Sequence, residues 1–173
     1  EETTPVPVLY VEGEMSAQQI QDRVCNITSR YVEEGKEFNF DYLRIAPVQE
    51  QLNQHFDPLN EDLGRKRLEL QLEQMKESFG QYPVLFLDNI SCLTSFQEKD
   101  GEAWITFMQW LIKLRARGYT IFFLHHATKE GSTSSGSNMK ERSVDIEIKL
   151  SEPTKEQKLD INETQMIIEF KKW

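Results

Sequence analysis

Three polar positions follow apolar runs in this chain. Glu12 and Glu14 follow residues 6–11, Asp88 follows Val84-Leu-Phe-Leu, and His125-His126 follow residues 119–124. Phosphoanhydride hydrolysis requires parts of this kind. One carboxylate holds Mg²⁺, often through water, and a second orients or deprotonates the attacking water. A polar group at a third position senses the γ-phosphate and couples it to a loop. Asp88 is the candidate for the metal. Glu12 and Glu14 compete for the water, and Glu12 has the alternative of being solvated or packed against a basic side chain. Of the paired histidines, one is equally readable as a hydrogen-bonded strand-end residue. A zinc pair is disfavoured, because adjacent histidines on a strand point apart and the chain has only one other histidine, His55.

These groups need elements that bring them together. Residues 84–87 are apolar at every position, which predicts a strand covered on both faces, as in a parallel sheet between helices. Residues 6–11 and 119–124 read the same way, and residues 40–45 as a further strand. In open parallel sheets, ligands sit at the carboxyl ends of the strands, which is where Glu12, Glu14, Asp88, His125 and His126 fall. Ser16 is placed to cap a helix carrying Ile20, Val24, Ile27 and Tyr31 at helical spacing, closed by Gly35. A helix over 61–79 presents Leu68, Leu72, Met75 and Phe79, with Gly80 as its C-cap. Trp104, Phe107, Met108, Leu111 and Leu114 mark another, ended by Gly118. Residues 47–60 are polar and irregular. Residues 128–139 are rich in Ser, Gly and Thr and read as a flexible loop. Val144, Ile146, Ile148 and Leu150 alternate with polar residues, as do Met166, Ile168 and Phe170. That alternation predicts an antiparallel pair with one wet face, closing the sheet edge. The order of elements implies an α/β fold with right-handed crossovers, in one domain over residues 1–173.

Composition narrows the partners. The net charge of -9 and the pI near 4.9 argue against a surface dominated by nucleic-acid or anionic-membrane binding, while leaving room for a local basic loop. Apolar runs are too short to span a bilayer. Cys25 and Cys92 read as buried free thiols in a reducing, cytoplasmic compartment. Arg65-Lys66-Arg67, Lys113, Arg115 and Arg117 read as solvated helix faces.

Four blocks have a recognisable spacing: Val8-Leu-Tyr-Val-Glu-Gly-Glu-Met-Ser16, Val84-Leu-Phe-Leu-Asp-Asn-Ile-Ser91, Trp110-Leu-Ile-Lys-Leu-Arg-Ala-Arg-Gly118 and Leu124-His-His-Ala-Thr-Lys129. Together they resemble the RecA-like ATPases of the plasmid RepA hexameric-helicase type, over nearly the whole chain. The resemblance implies a three-layer RecA-like fold, ATP and Mg²⁺ as cofactors, and a homo-oligomeric ring of hexameric type. It implies that Glu14 activates water, that Asp88 is the Walker B aspartate, that His125 reports γ-phosphate loss, and that His126 and Lys129 lie against the nucleotide. It puts a DNA-facing loop within residues 128–140. Lys171 and Lys172 fall where such proteins carry basic residues that reach a neighbouring subunit, but no arginine stands there to act as a finger.

No G-x-x-x-x-G-K-[ST] run occurs in the 173 residues. Two expectations follow. In the first, the chain is the C-terminal part of a longer ATPase whose P-loop precedes Glu1, and by itself binds nucleotide poorly for want of that phosphate cradle. In the second, the protein is a non-catalytic RecA-like binding or regulatory module that has lost the P-loop. Because the chain opens on Glu1 rather than Met, the first is preferred.

Overall fold

The computed structural model describes residues 4–36, 38–48, 56–97, 100–126, 143–154 and 165–172. Contacts divide the chain into two compact units, Glu1–Ser132 and Thr133–Trp173.

The first unit is an α/β layer built on four parallel strands: β1 (Val8–Glu12), β2 (Leu43–Pro47), β3 (Val84–Asp88) and β4 (Thr120–Phe123). Their order in the sheet is β2-β1-β3-β4. Helix α1 (Ala17–Glu33) connects β1 to β2, α2 (Asp62–Phe79) connects β2 to β3, and the four-residue α3 (Ile90–Leu93) and α4 (Gly101–Ala116) connect β3 to β4. From β1 the chain moves outward one way, to β2, and from β3 it moves the other way, to β4. The β1/β3 seam is therefore the point where strand order reverses, and the crevice at its carboxyl end is where such sheets bind ligands.

Local chemistry explains the helix ends. Ser16 and Gln19 form a reciprocal capping box at the start of α1. Asp100 accepts from the Ala103 N–H at the start of α4. Gly80 closes α2 with φ of 67°, a left-handed turn that glycine adopts without strain. At Gly64, in the first turn of α2, a Cβ would lie 2.3 Å from the Asp57 carbonyl oxygen, so the close approach of these backbones requires glycine.

The core lies on one side of the sheet. Leu9, Val11, Leu85 and Leu87 are buried there, together with Leu68, Leu72 and Met75 of α2 and Trp104, Phe107, Met108, Leu111 and Leu114 of α4. The opposite face departs from the sequence expectation. Tyr10, Phe86 and Phe122 stack across β1, β3 and β4 with ring centroids 5.2 Å and 5.7 Å apart. Tyr10 and Phe86 are only half-buried and Phe122 is 51% exposed. The crossover rule puts only α1, of the three long crossover helices, on that side. An apolar run at every position predicted equal cover on both faces; among the described residues one face is sealed and the other is an open aromatic ladder.

Other differences are smaller. The second strand begins at Leu43 rather than residue 40, because the Asn39 side chain accepts from the Asp41 N–H and turns residues 40–42 into a single 3-10 turn. On α1, Ile20 and Thr28 are buried but Ile27, Tyr31 and Val32 are exposed. Cys25 and Cys92 are exposed free thiols, not buried ones: helical spacing gave their periodicity but not which face the core would take. Arg117 is no solvated bystander, since it bonds Glu69 and Glu73 of α2, and Arg67 pairs with the buried Asp57.

The second unit contains β5 (Glu147–Ser151) and β6 (Ile167–Lys172), paired antiparallel with Ile148 opposite Phe170 and Leu150 opposite Ile168. The antiparallel hairpin expected from the alternation is present. β5 and β6 form their own two-stranded sheet, and Ile146, Ile148, Leu150, Met166, Ile168 and Phe170 are all exposed. Among the described residues no helix is long and apolar enough to cross a membrane.

Candidate functional site

Pairing across the β1/β3 seam sets Glu12 opposite Asp88 at the last register position of both strands. Side chains two apart on a strand share a face, so Tyr10 stands beside Glu12 and Phe86 beside Asp88. The Tyr10 hydroxyl lies within bonding distance of both carboxylates: it donates to Asp88 Oδ2, and Glu12 Oε2 is 3.2 Å away. Burial, and then the Asp88 carboxylate, push the Tyr10 hydroxyl far above its usual range, so it stays protonated and a donor.

Glu12 is 1% exposed, and its Oε1 accepts the backbone N–H groups of Glu14 at 2.7 Å and Met15 at 2.9 Å. Neither solvated nor salt-bridged, it is a structural carboxylate that folds the β1–α1 turn over itself. Gly13 lies against this turn. Its N–H donates to the Asp88 carbonyl at 2.6 Å, and a Cβ there would come within 2.7 Å of Cys92 Cβ. The turn is thereby stitched to the end of β3.

Glu14 then projects beyond the turn with its side chain 61% exposed. Its Oε2 accepts from Asn89 Nδ2 at 3.0 Å and lies 3.8 Å from His126 Nε2. Asn89 directly follows Asp88 through a cis peptide bond and caps α3 by accepting from the Cys92 N–H at 3.1 Å. His126, at the end of β4, lies 3.0 Å from the same Asn89 nitrogen. Partial desolvation of its sulfur, and then the Glu14 carboxylate, raise the otherwise exposed Cys92 thiol above its usual range.

The structure thus brings Glu14 and His126 together on Asn89, the residue that follows Asp88 at the end of β3. His125 turns the other way, its ring edge-on to the buried Trp104 at 5.3 Å between centroids. His126, by contrast, approaches the Glu14 carboxylate. Lys129, His55 and the loop over 128–140 lie outside the described residues. Sequence reasoning did not single out Tyr10 or Asn89. Both had a readable signal: Tyr10 is the polar-tipped residue two before Glu12 on the same strand face, and Asn89 is a favoured N-cap type immediately before an apolar turn.

Among the described residues no group of three or more His, Cys, Asp or Glu is placed to hold a metal ion. Mg²⁺ keeps several waters and is commonly held by one or two carboxylates plus substrate phosphates rather than by a closed protein cage. An open groove of about 680 Å³ lies elsewhere, at the C-terminal part of α1, lined by Thr28, Val32, Phe38 and Phe40 among others, and none of the crevice residues borders it.

A parallel α/β sheet with carboxylates at its reversal point is an arrangement in which open sheets bind ligands. Residues 1–132 match the model of the AAA domain family, and the chain belongs to that family of ATPase-type domains. The match ends where the first compact unit ends. No curated protein matches the chain.

Proposed function

We propose that this chain carries the hydrolytic residues of a Mg²⁺-dependent ATPase of the RepA ring-helicase type. The observation that supports it most is that Glu14 and His126, from the ends of two different strands, meet on Asn89, the residue next to Asp88 at the carboxyl end of β3. Asp88 would hold Mg²⁺, directly or through water, and the ion would neutralise charge on the nucleotide phosphates. Glu14 is the exposed carboxylate of the set and takes the proton of the attacking water, while Glu12 is committed to the backbone. His126, rather than His125, is the imidazole that meets the terminal phosphate, because His126 lies beside Glu14 while the His125 ring packs edge-on to Trp104. Lys129, the loop over 128–140 as a DNA contact, and a homo-oligomeric ring complete the reading on the strength of the sequence resemblance.

Hydrolysis of Mg²⁺-ATP by the full-length natural protein, with and without single-stranded DNA, tests it. Glu14→Gln and Asp88→Ala should each abolish turnover, Glu14→Gln without weakening nucleotide binding. Turnover that survives Glu14→Gln removes Glu14 from the chemistry. Stimulation by DNA supports the helicase-type assignment; turnover indifferent to DNA leaves a regulatory ATPase.

A further inference from the structure

Asn89 is 2% exposed, and each of its three strongest hydrogen-bonding capacities is used. Oδ1 accepts the Cys92 N–H at the start of α3. Only the oxygen of an amide can accept, so this bond fixes which way round the group lies and turns Nδ2 toward the crevice. From there Nδ2 reaches Glu14 Oε2 and His126 Nε2, both at 3.0 Å. Nδ2 carries two hydrogens and meets two acceptors. His126 Nε2 therefore presents its lone pair, with the ring proton on Nδ1.

We infer that Asn89 is a positioning residue, a buried amide anchored to α3 that holds the Glu14 carboxylate and the His126 imidazole as one hydrogen-bonded unit. Glu14 and His126 are exposed side chains on different loops, and their 3.8 Å approach is too long for a direct hydrogen bond. Left alone, each would sample several rotamers. A general base acts only when held within reach of its proton. The amide supplies a fixed point to both groups. Being a neutral donor, it transfers no proton to Glu14 and leaves the carboxylate able to accept a further hydrogen bond from water.

The kinetic consequence rests on the ATPase reading; the geometry does not, and two measurements separate them. In the full-length natural protein, Asn89→Ser keeps a capping oxygen but removes both donors. It should lower kcat for Mg²⁺-ATP by about 100-fold, the scale of a misplaced reacting group, with KM and melting temperature little changed. A merely structural cap predicts unchanged kcat in Asn89→Ser, and that result overturns the proposal. The second measurement is the NMR spectrum of the Asn89 side-chain amide in the ¹⁵N-labelled chain. Glu14→Gln should move one of its two hydrogen resonances and His126→Ala the other. If neither moves, the proposal fails, whatever the kinetics. If both move as described and the wild-type protein shows no turnover, the positioning role stands and the hydrolytic reading falls.

Discussion

Tyr10 donates its hydroxyl hydrogen to Asp88 across the β1/β3 seam, from a ring stacked on Phe86 in the neighbouring strand. The same hydroxyl is 3.2 Å from Glu12 Oε2. One O–H thus stands between two carboxylates at the same register level. The aromatic ladder has a function beyond its packing: it fixes the height at which Tyr10 meets the carboxylates.

Tyr10→Phe keeps the stack and deletes the donor. A hydrogen bond to a charged group contributes roughly 1.5–3 kcal/mol, and equilibrium urea unfolding at pH 7 should show a loss on that scale. The alkaline limb gives a second check. The folded Tyr10 hydroxyl titrates above its unfolded value of 10.0, so its contribution is complete below pH 10 and lost as pH rises beyond that. Wild-type stability should fall more steeply above pH 10 than that of Tyr10→Phe; parallel curves would contradict the Tyr10–Asp88 bond.

Glu12→Ala should damage the fold more than the chemistry. Two backbone N–H groups would lose their acceptor in a nearly sealed position, at about 1–3 kcal/mol for each buried donor left unsatisfied. Glu12→Gln retains an acceptor oxygen and should cost less than half as much. The two variants, compared by chemical denaturation, separate the hydrogen-bonding role of Glu12 from its charge. Equal losses would assign the effect to charge.

The sheet and the place of Asp88 at its carboxyl edge were legible because uninterrupted apolar runs ending in acids leave few alternatives: Val84–Asp88 and Val8–Glu12 both formed parallel strands. The open aromatic face was not legible. Val84-Leu-Phe-Leu looks identical whether one side or both are covered, since cover depends on where distant helices land. Glu12 and Glu14 could not be ranked by type either. What separates them is backbone geometry in the β1–α1 turn, which folds two N–H groups onto Glu12 and sends Glu14 outward. The alternation in residues 144–150 and 166–170 gave the hairpin, because period-two patterning is specific to a two-sided strand.

A polar seam joins α2 to the end of α4. Glu73 accepts from Tyr119 Oη at 2.8 Å and Arg117 Nη2 at 2.6 Å, and Glu69 accepts from Trp110 Nε1 at 2.8 Å. The Tyr119 and Arg117 bonds hold the Glu73 carboxyl below its ordinary range. Its contribution is therefore present above the unfolded carboxyl range and lost as pH falls through the folded value. Because the pair is more than a third exposed, solvent screening keeps the effect within about 1 kcal/mol. Melting temperature followed from pH 6 to pH 3 should drop less steeply in Glu73→Gln than in wild type. Identical slopes would mean that the seam is closed by shape alone.

The two histidines make opposite predictions. His126 is 71% exposed and meets Asn89 beside Glu14, so His126→Ala should leave the melting temperature in place. It should lower Mg²⁺-ATP turnover by about 100-fold, the low end of what a positioned proton-handling side chain contributes. His125 lies edge-on to Trp104, itself 1% exposed, and loses that contact on truncation. His125→Ala should therefore cost about 1 kcal/mol of stability, the scale of an aromatic pair, and change turnover only modestly at temperatures where the protein stays folded. Melting curves and steady-state rates on the two variants check both at once. If His125→Ala abolishes turnover in a folded protein while His126→Ala does not, the phosphate-sensing role belongs to His125, and the ring now against Trp104 must swing into the crevice during the reaction.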